Sequence, residues 1–201
     1  MEARVAREIV FRTSAGNEML SARPLEARHV RGCRVYETRE AMMELFPRGG
    51  RIAELGVQQG YFARLLIEQL RPAEYHGFDL DLSQLLTDAL PALKSSCARF
   101  HEGDSSRNLA RFPDASFDLI YIDGDHSYPG VRADALVALQ KVRPDGWLVF
   151  NDYLSWSPLE NCEYGVMRVV HELCDEHGWA MVALGLHVMG YHDVALRRAA
   201  P

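Results

Sequence analysis

Nowhere does this 201-residue chain approach the ~20 consecutive apolar residues of a membrane span. Its opening, "MEARVAREIVFR", spreads charges where a secretory leader needs an apolar stretch. Both absences lead us to expect a soluble, cytoplasmic protein. Cysteine is scarce and scattered. Cys33, Cys97, Cys162 and Cys174 form no C-x-x-C pair, so reduced structural thiols are expected rather than a zinc site or a disulfide framework. Basic clusters are missing too. The chain has 22 Lys and Arg against 28 Asp and Glu, a net charge of −6, and no segment gathers enough cations to follow a phosphate backbone. The partner expected is a small molecule, not nucleic acid or a membrane.

What is present is 48% apolar sequence, enough for one globular domain with a real core. Residues 1–48 read as an irregular helical appendage, broken by "TSAGNE", Pro24 and "RGC", and able to serve as a lid or to support a homodimer. Residues 49–201 are regular. "RIAEL", "EYHGFDL", "ARFHEGDS", "FDLIYID" and "WLVFND" read as short strands. Between them, "YFARLLIEQL", "SQLLTDALPAL" and "YPGVRADALVALQKV" read as helices, and "YGVMRVVHELCDEHG" as a last helix ending at His177-Gly178. "WAMVALGL" and "YHDVALRR" close the chain as an antiparallel pair. The alternation predicts an α/β fold with a mostly parallel sheet and helices on both faces.

In such a sheet ligands bind beyond the carboxyl ends of the strands, where strand order reverses. Every strand expected to reach that rim ends in an acid: Glu54, Asp79, Asp104, Asp123 with Asp125, and Asp152 after Asn151. The first turn, "ELGVQQG", spaces Gly56 and Gly60 as G-x-x-x-G, not the G-x-G-x-x-G of a dinucleotide site, and it has no P-loop lysine. A rim of acids repels diphosphates and suits a ligand with hydroxyls and a cationic centre, as S-adenosylmethionine has. Asp79 follows the turn at the spacing of a ribose-reading acid. Asp104 could accept from an adenine amine with Ser105 beside it, or it could cap a helix.

The segments "ELGVQQGYF", "GFDLD", "EGDS", "YIDGDHSYPGVRADAL" and "VRPDGWLVFNDY" resemble the successive motifs of a class I S-adenosylmethionine-dependent methyltransferase. More narrowly, they are similar to the macrocin-type and noviose-type O-methyltransferases of natural-product biosynthesis. The resemblance covers residues 51–198 and implies a Rossmann-like, seven-stranded sheet, a cofactor site at Glu54, Gly56, Gly60, Asp79, Asp104, Ser105 and Asp123, and transfer to a sugar, phenol or catechol-like hydroxyl. It also implies magnesium held by Asp123, Asn151 and Asp152, with Asp125 as general base. Asn151 departs from the paired acids of the sugar-methylating relatives. His126 is the competing base, since an imidazole titrates near neutrality. A metal-independent enzyme using Asp125 or His126 and a non-catalytic binder on the same fold stay open. Tyr128, Tyr153 and Trp156 are candidate walls of the acceptor pocket.

Overall fold

The computed structural model describes residues 22–199. The centre is strand β2 (Arg51–Leu55), buried at four of its five positions. The chain runs from it through helix α3 (Tyr61–Leu70) to β3 (Glu74–Asp79) and β4 (Ala98–Glu102) on one side. It then crosses back through α4 (Ser105–Leu109) to β5 (Phe117–Ile122), α5 (Tyr128–Lys141) and β6 (Val142–Phe150) on the other. Helix α6 (Val166–His177) leads to β9 (Trp179–Gly185) and β10 (Asp193–Arg198). A small hairpin of β7 (Trp156–Ser157) and β8 (Cys162–Glu163) lies between β6 and α6. The α/β reading and the closing antiparallel pair are borne out, with β10 antiparallel to both β6 and β9.

Side-chain alternation explains the layers. Ile120 and Ile122 face one side with Val131, Ala135 and Ala138 of α5 and Val169 and Leu173 of α6. Leu119 and Tyr121, one residue out of phase, face the other with Phe62 and Leu66 of α3. Both sides of the central strands are therefore dry, as a parallel sheet requires.

Two elements differ from expectation. The sheet has eight strands, ordered β1-β9-β10-β6-β5-β2-β3-β4. The added edge strand β1 (Arg34–Tyr36) comes from the supposed helical appendage and pairs parallel with β9. Short helices α1 (Ala27–Val30) and α2 (Arg39–Met42) flank it, while the expectation for residues 1–21 lies outside the described residues. The helix expected over "SQLLTDALPAL" is reduced to two 3-10 turns, Leu82–Gln84 and Pro91–Lys94. Asp81 caps the first by accepting from Ser83 N at 2.8 Å, and Pro91, lacking an N–H, restricts the residue before it and starts the second.

On β3 and β4, His76 Nδ1 lies 3.0 Å from His101 Nε2, with Phe112 edge-on to both rings. Burial lowers both pKa values below the ordinary 6.5. The unfolded chain, whose histidines titrate normally, then binds protons that the native pair refuses. Stability contributed by this pair is full above pH 6.5 and declines as pH falls below it. We expect the urea midpoint to drop between pH 7.5 and 5.5, and a His101→Gln variant to show a shallower drop; equal slopes would contradict this account.

Candidate functional site

The order of strands reverses between β2 and β5, and there the glycine turn meets the acid loop. Gly56 N donates to Phe78 O at 2.8 Å and Asp123 N to Leu55 O at 2.7 Å, which splices the loop ends into the sheet. Gly56 has φ +90°, and a Cβ built on it would lie 1.9 Å from the carbonyl oxygen of Asp123. Only glycine permits that approach. Gly60, at φ +88°, starts α3 with Leu93 and Leu85 packed against it.

These loops enclose a cleft of about 840 Å³. Its lining includes Arg39, Glu54, Phe62, Asp79, Asp104, Ser105 and Asp134. Asp79 Oδ2 accepts from Val57 N at 2.9 Å and Gln58 N at 2.7 Å, and Oδ1 accepts from Asp81 N at 3.1 Å. The carboxylate thus braces the glycine turn and keeps room for about one more donor. Asp104 Oδ1 caps α4, accepting from Arg107 N at 2.8 Å and Ser106 Oγ at 2.7 Å, while Oδ2 lies 3.8 Å from Arg107 Nε. Ser105 opens α4 beside it.

Glu54 is wholly buried. Tyr75 donates its hydroxyl to Oε2, while Oε1 has no partner. Burial, offset in part by the Tyr75 hydrogen bond, pushes its pKa up to about 8. A cationic ligand group would supply the missing partner and favour the ionised form.

A second cavity of about 410 Å³ shares Arg39, Asp152, Glu160 and Tyr164 with the cleft. At this junction His126 Nε2 stands 3.5 Å from Asp123 Oδ1 and 3.7 Å from Asp152 Oδ2, and its ring stacks on Tyr164 at 4.7 Å. Burial opposes protonation of His126, but the two carboxylates outweigh it and raise the pKa. Burial likewise pushes Asp152 up to about 6. Behind them runs a buried chain: Arg39 Nη1 lies 3.5 Å from Tyr121 OH, Tyr121 donates to Asp193 Oδ2 at 2.5 Å, and Asn151 Nδ2 donates to Asp193 Oδ1 at 3.0 Å. Burial pushes Asp193 up to about 7.

In place of a magnesium ion, the expected ligand residues are engaged with protein groups. The imidazole nitrogen of His126 lies 3.5 Å from Asp123 Oδ1 and 3.7 Å from Asp152 Oδ2, and the Asn151 side chain is oriented by its Nδ2 donation to Asp193 Oδ1. Among the described residues no three His, Cys, Asp or Glu side chains are grouped to hold a metal. Asp125 lines the cleft and also serves the turn into α5. Its Oδ1 accepts from Ser127 N at 2.8 Å and its Oδ2 from Ser127 Oγ at 2.9 Å, forming the turn into α5. The aromatic walls are displaced as well. Tyr128 donates to Glu172 and Tyr153 bonds to His171, both on α6, and Tyr164 and Tyr191 line the second cavity instead.

Arg39, Tyr121 and Asp193 escaped the sequence reading. Asp193 left one trace, an acid opening an apolar strand; Arg39 left none.

Residues 53–153 match a family model described as a methyltransferase domain. A phthiotriol/phenolphthiotriol dimycocerosates methyltransferase of Mycobacterium ulcerans is 31% identical over 109 residues, spanning 52% of this chain and 38% of that protein. Among solved structures, TomG of Streptomyces achromogenes, an O-methyltransferase of tomaymycin synthesis in complex with S-adenosylmethionine, aligns with a TM-score of 0.61 at 20% identity. That alignment covers 80% of this chain and 78% of TomG. A candidate O-methyltransferase of Klebsiella pneumoniae gives 0.60 at 21%, covering 75% and 73%.

Proposed function

This chain belongs to the methyltransferase-domain family, and we propose that it is an S-adenosylmethionine-dependent enzyme that methylates the hydroxyl of a small molecule without a metal ion, with His126 as the base. One observation carries the reading: the cofactor-sized cleft adjoins a second cavity, and His126 stands beside two of the residues they share, Asp152 and Tyr164. TomG, an O-methyltransferase, and the Klebsiella protein, a candidate one, support oxygen as the acceptor atom.

When bound, the cofactor supplies an electrophilic methyl group on a sulfonium. The residues around it do the rest. Asp79 and Asp104, which line the cleft, accept from hydroxyl and amine donors, and Glu54, with an unpartnered Oε1, meets a cation. His126 takes the acceptor proton at Nε2, and Asp123 and Asp152 stabilise the imidazolium that forms. No step needs Asp125, whose oxygens serve the α5 turn.

The test is calorimetric titration of S-adenosylhomocysteine. We expect binding that weakens about tenfold or more in Asp79→Ala, the worth of one charge-assisted hydrogen bond plus loosening of the turn. Binding should persist unchanged after EDTA treatment, and turnover should stay within about twofold, since no Lewis acid is invoked. Absence of binding would remove the cofactor site, and activity lost to EDTA and restored by Mg²⁺ would return the metal mechanism.

A further inference from the structure

We infer that the acceptor is an amphipathic amine, a molecule bearing a protonated nitrogen and an apolar portion near the hydroxyl to be methylated. This rests on the reading above, in which the smaller cavity holds the acceptor.

The charge of that cavity is one-sided. Glu37, Glu40, Asp152, Glu160 and Asp193 line it against a single arginine, Arg39. That arginine is already engaged. Its Nε lies 3.5 Å from Glu40 Oε1, its Nη1 3.5 Å from Tyr121 OH, and its guanidinium 4.4 Å over the Phe62 ring. Asp152 faces His126, and Asp193 accepts from Tyr121 and Asn151. Glu37 and Glu160 line the cavity, and among the described residues neither is ion-paired to a lysine or arginine. His187 also lines it, an imidazole accepting from Met189 N at 3.4 Å. A ligand anion would meet several acids and one occupied arginine; an ammonium would meet two acids that no lysine or arginine neutralises, Glu160 having Cys162 Sγ at 3.7 Å and the more distant His126 beside it.

The rim is a separate observation. Leu159, Leu186 and Val188 line the cavity and are 68%, 39% and 98% exposed, and neighbouring Met189 is 54% exposed. These four are half of the large apolar side chains that the described chain leaves exposed. Scattered apolar residues need no explanation, whereas a cluster at one cavity mouth marks a binding surface. A purely hydrophilic sugar would leave that rim in water. An apolar body carrying an ammonium satisfies rim and lining together.

The experiment uses the full-length protein with S-adenosylhomocysteine and three catechols of matched skeleton: dopamine, 4-ethylcatechol and 3,4-dihydroxyphenylacetate. Affinities are read by saturation-transfer NMR. The ammonium member should bind about tenfold more tightly than the neutral one, and the carboxylate least. The advantage should shrink as NaCl rises from about 20 to 300 mM, because solvent-accessible charges are screened. It should shrink likewise in a Glu37→Gln/Glu160→Gln variant. Equal affinities, preference for the anion, or no binding of dopamine would overturn the proposal. Titrating S-adenosylhomocysteine into the same samples separates the two readings. Amine preference lost while the homocysteine derivative binds sinks only the acceptor class; amine preference kept without that binding sinks the methyltransferase site.

Discussion

His126→Gln is expected to lower kcat by about 10²–10⁴-fold, the range attributed to a positioned base, while S-adenosylhomocysteine still binds. Glutamine keeps polarity and approximate size at the junction but cannot hold the acceptor proton. The pH profile supplies the sharper check. A base must be neutral to act, and Asp123 and Asp152 raise the His126 pKa above its ordinary 6.5. The wild-type rate should therefore climb with pH through an inflection above 6.5, and the variant should lose that inflection. Asp125→Asn serves as the contrast. Asparagine keeps the Oδ1 that accepts from Ser127 N and loses the acceptor for Ser127 Oγ, so the change should cost about 0.5–1.5 kcal/mol of stability and leave the inflection in place. If Asp125→Asn abolishes turnover and His126→Gln does not, the assignment of the base is reversed.

Gly56→Ala is expected to be the most destabilising change in the site. The added carbon would stand 1.9 Å from Asp123 O, 2.5 Å from its carbonyl carbon and 2.8 Å from Gly124 Cα, all of them backbone atoms. No rotamer relieves such a clash, so β2 and β5 would have to part where they are hydrogen-bonded. At φ +90° an alanine also carries intrinsic strain of about 1–2 kcal/mol. Together these place the loss at about 4 kcal/mol or more, among the largest single-residue effects, and the melting temperature down by about 10 °C. Thermal and urea unfolding would measure it. A variant within about 1 kcal/mol of wild type would show that the loops separate freely and that the tight splice is dispensable.

The alternation of strands and helices was legible because each central strand is a short apolar run and each long helix shows a buried stripe, patterns that need no knowledge of tertiary contacts. The rim acids were legible for the same reason: once strands are placed, their ends are placed. Arg39 was not. It reaches the site because a three-residue strand, too short for any period to show, pairs Arg34–Tyr36 with Ala183–Gly185. Helix expectation failed over residues 83–93 because local capping and Pro91 overrode the apolar spacing. Tyr128 and Tyr153 were placed correctly along the chain but turned toward α6, where Glu172 and His171 offer partners for their hydroxyls. Which partner a side chain selects is a property of packing between distant segments, and periodicity carries no trace of it.

The pairing of β1 with β9 also has a consequence for how the molecule is made. The wall of the second cavity joins residues 37–40 to residues 186–193, so the earlier part of the wall waits for the later one. During synthesis, at about 5–20 residues per second, a nascent chain already holding the glycine turn, the acid loop and His126 would still lack Asp193 and the strand that seats Arg39. The junction is complete only when β9 and β10 have left the ribosome and closed the sheet.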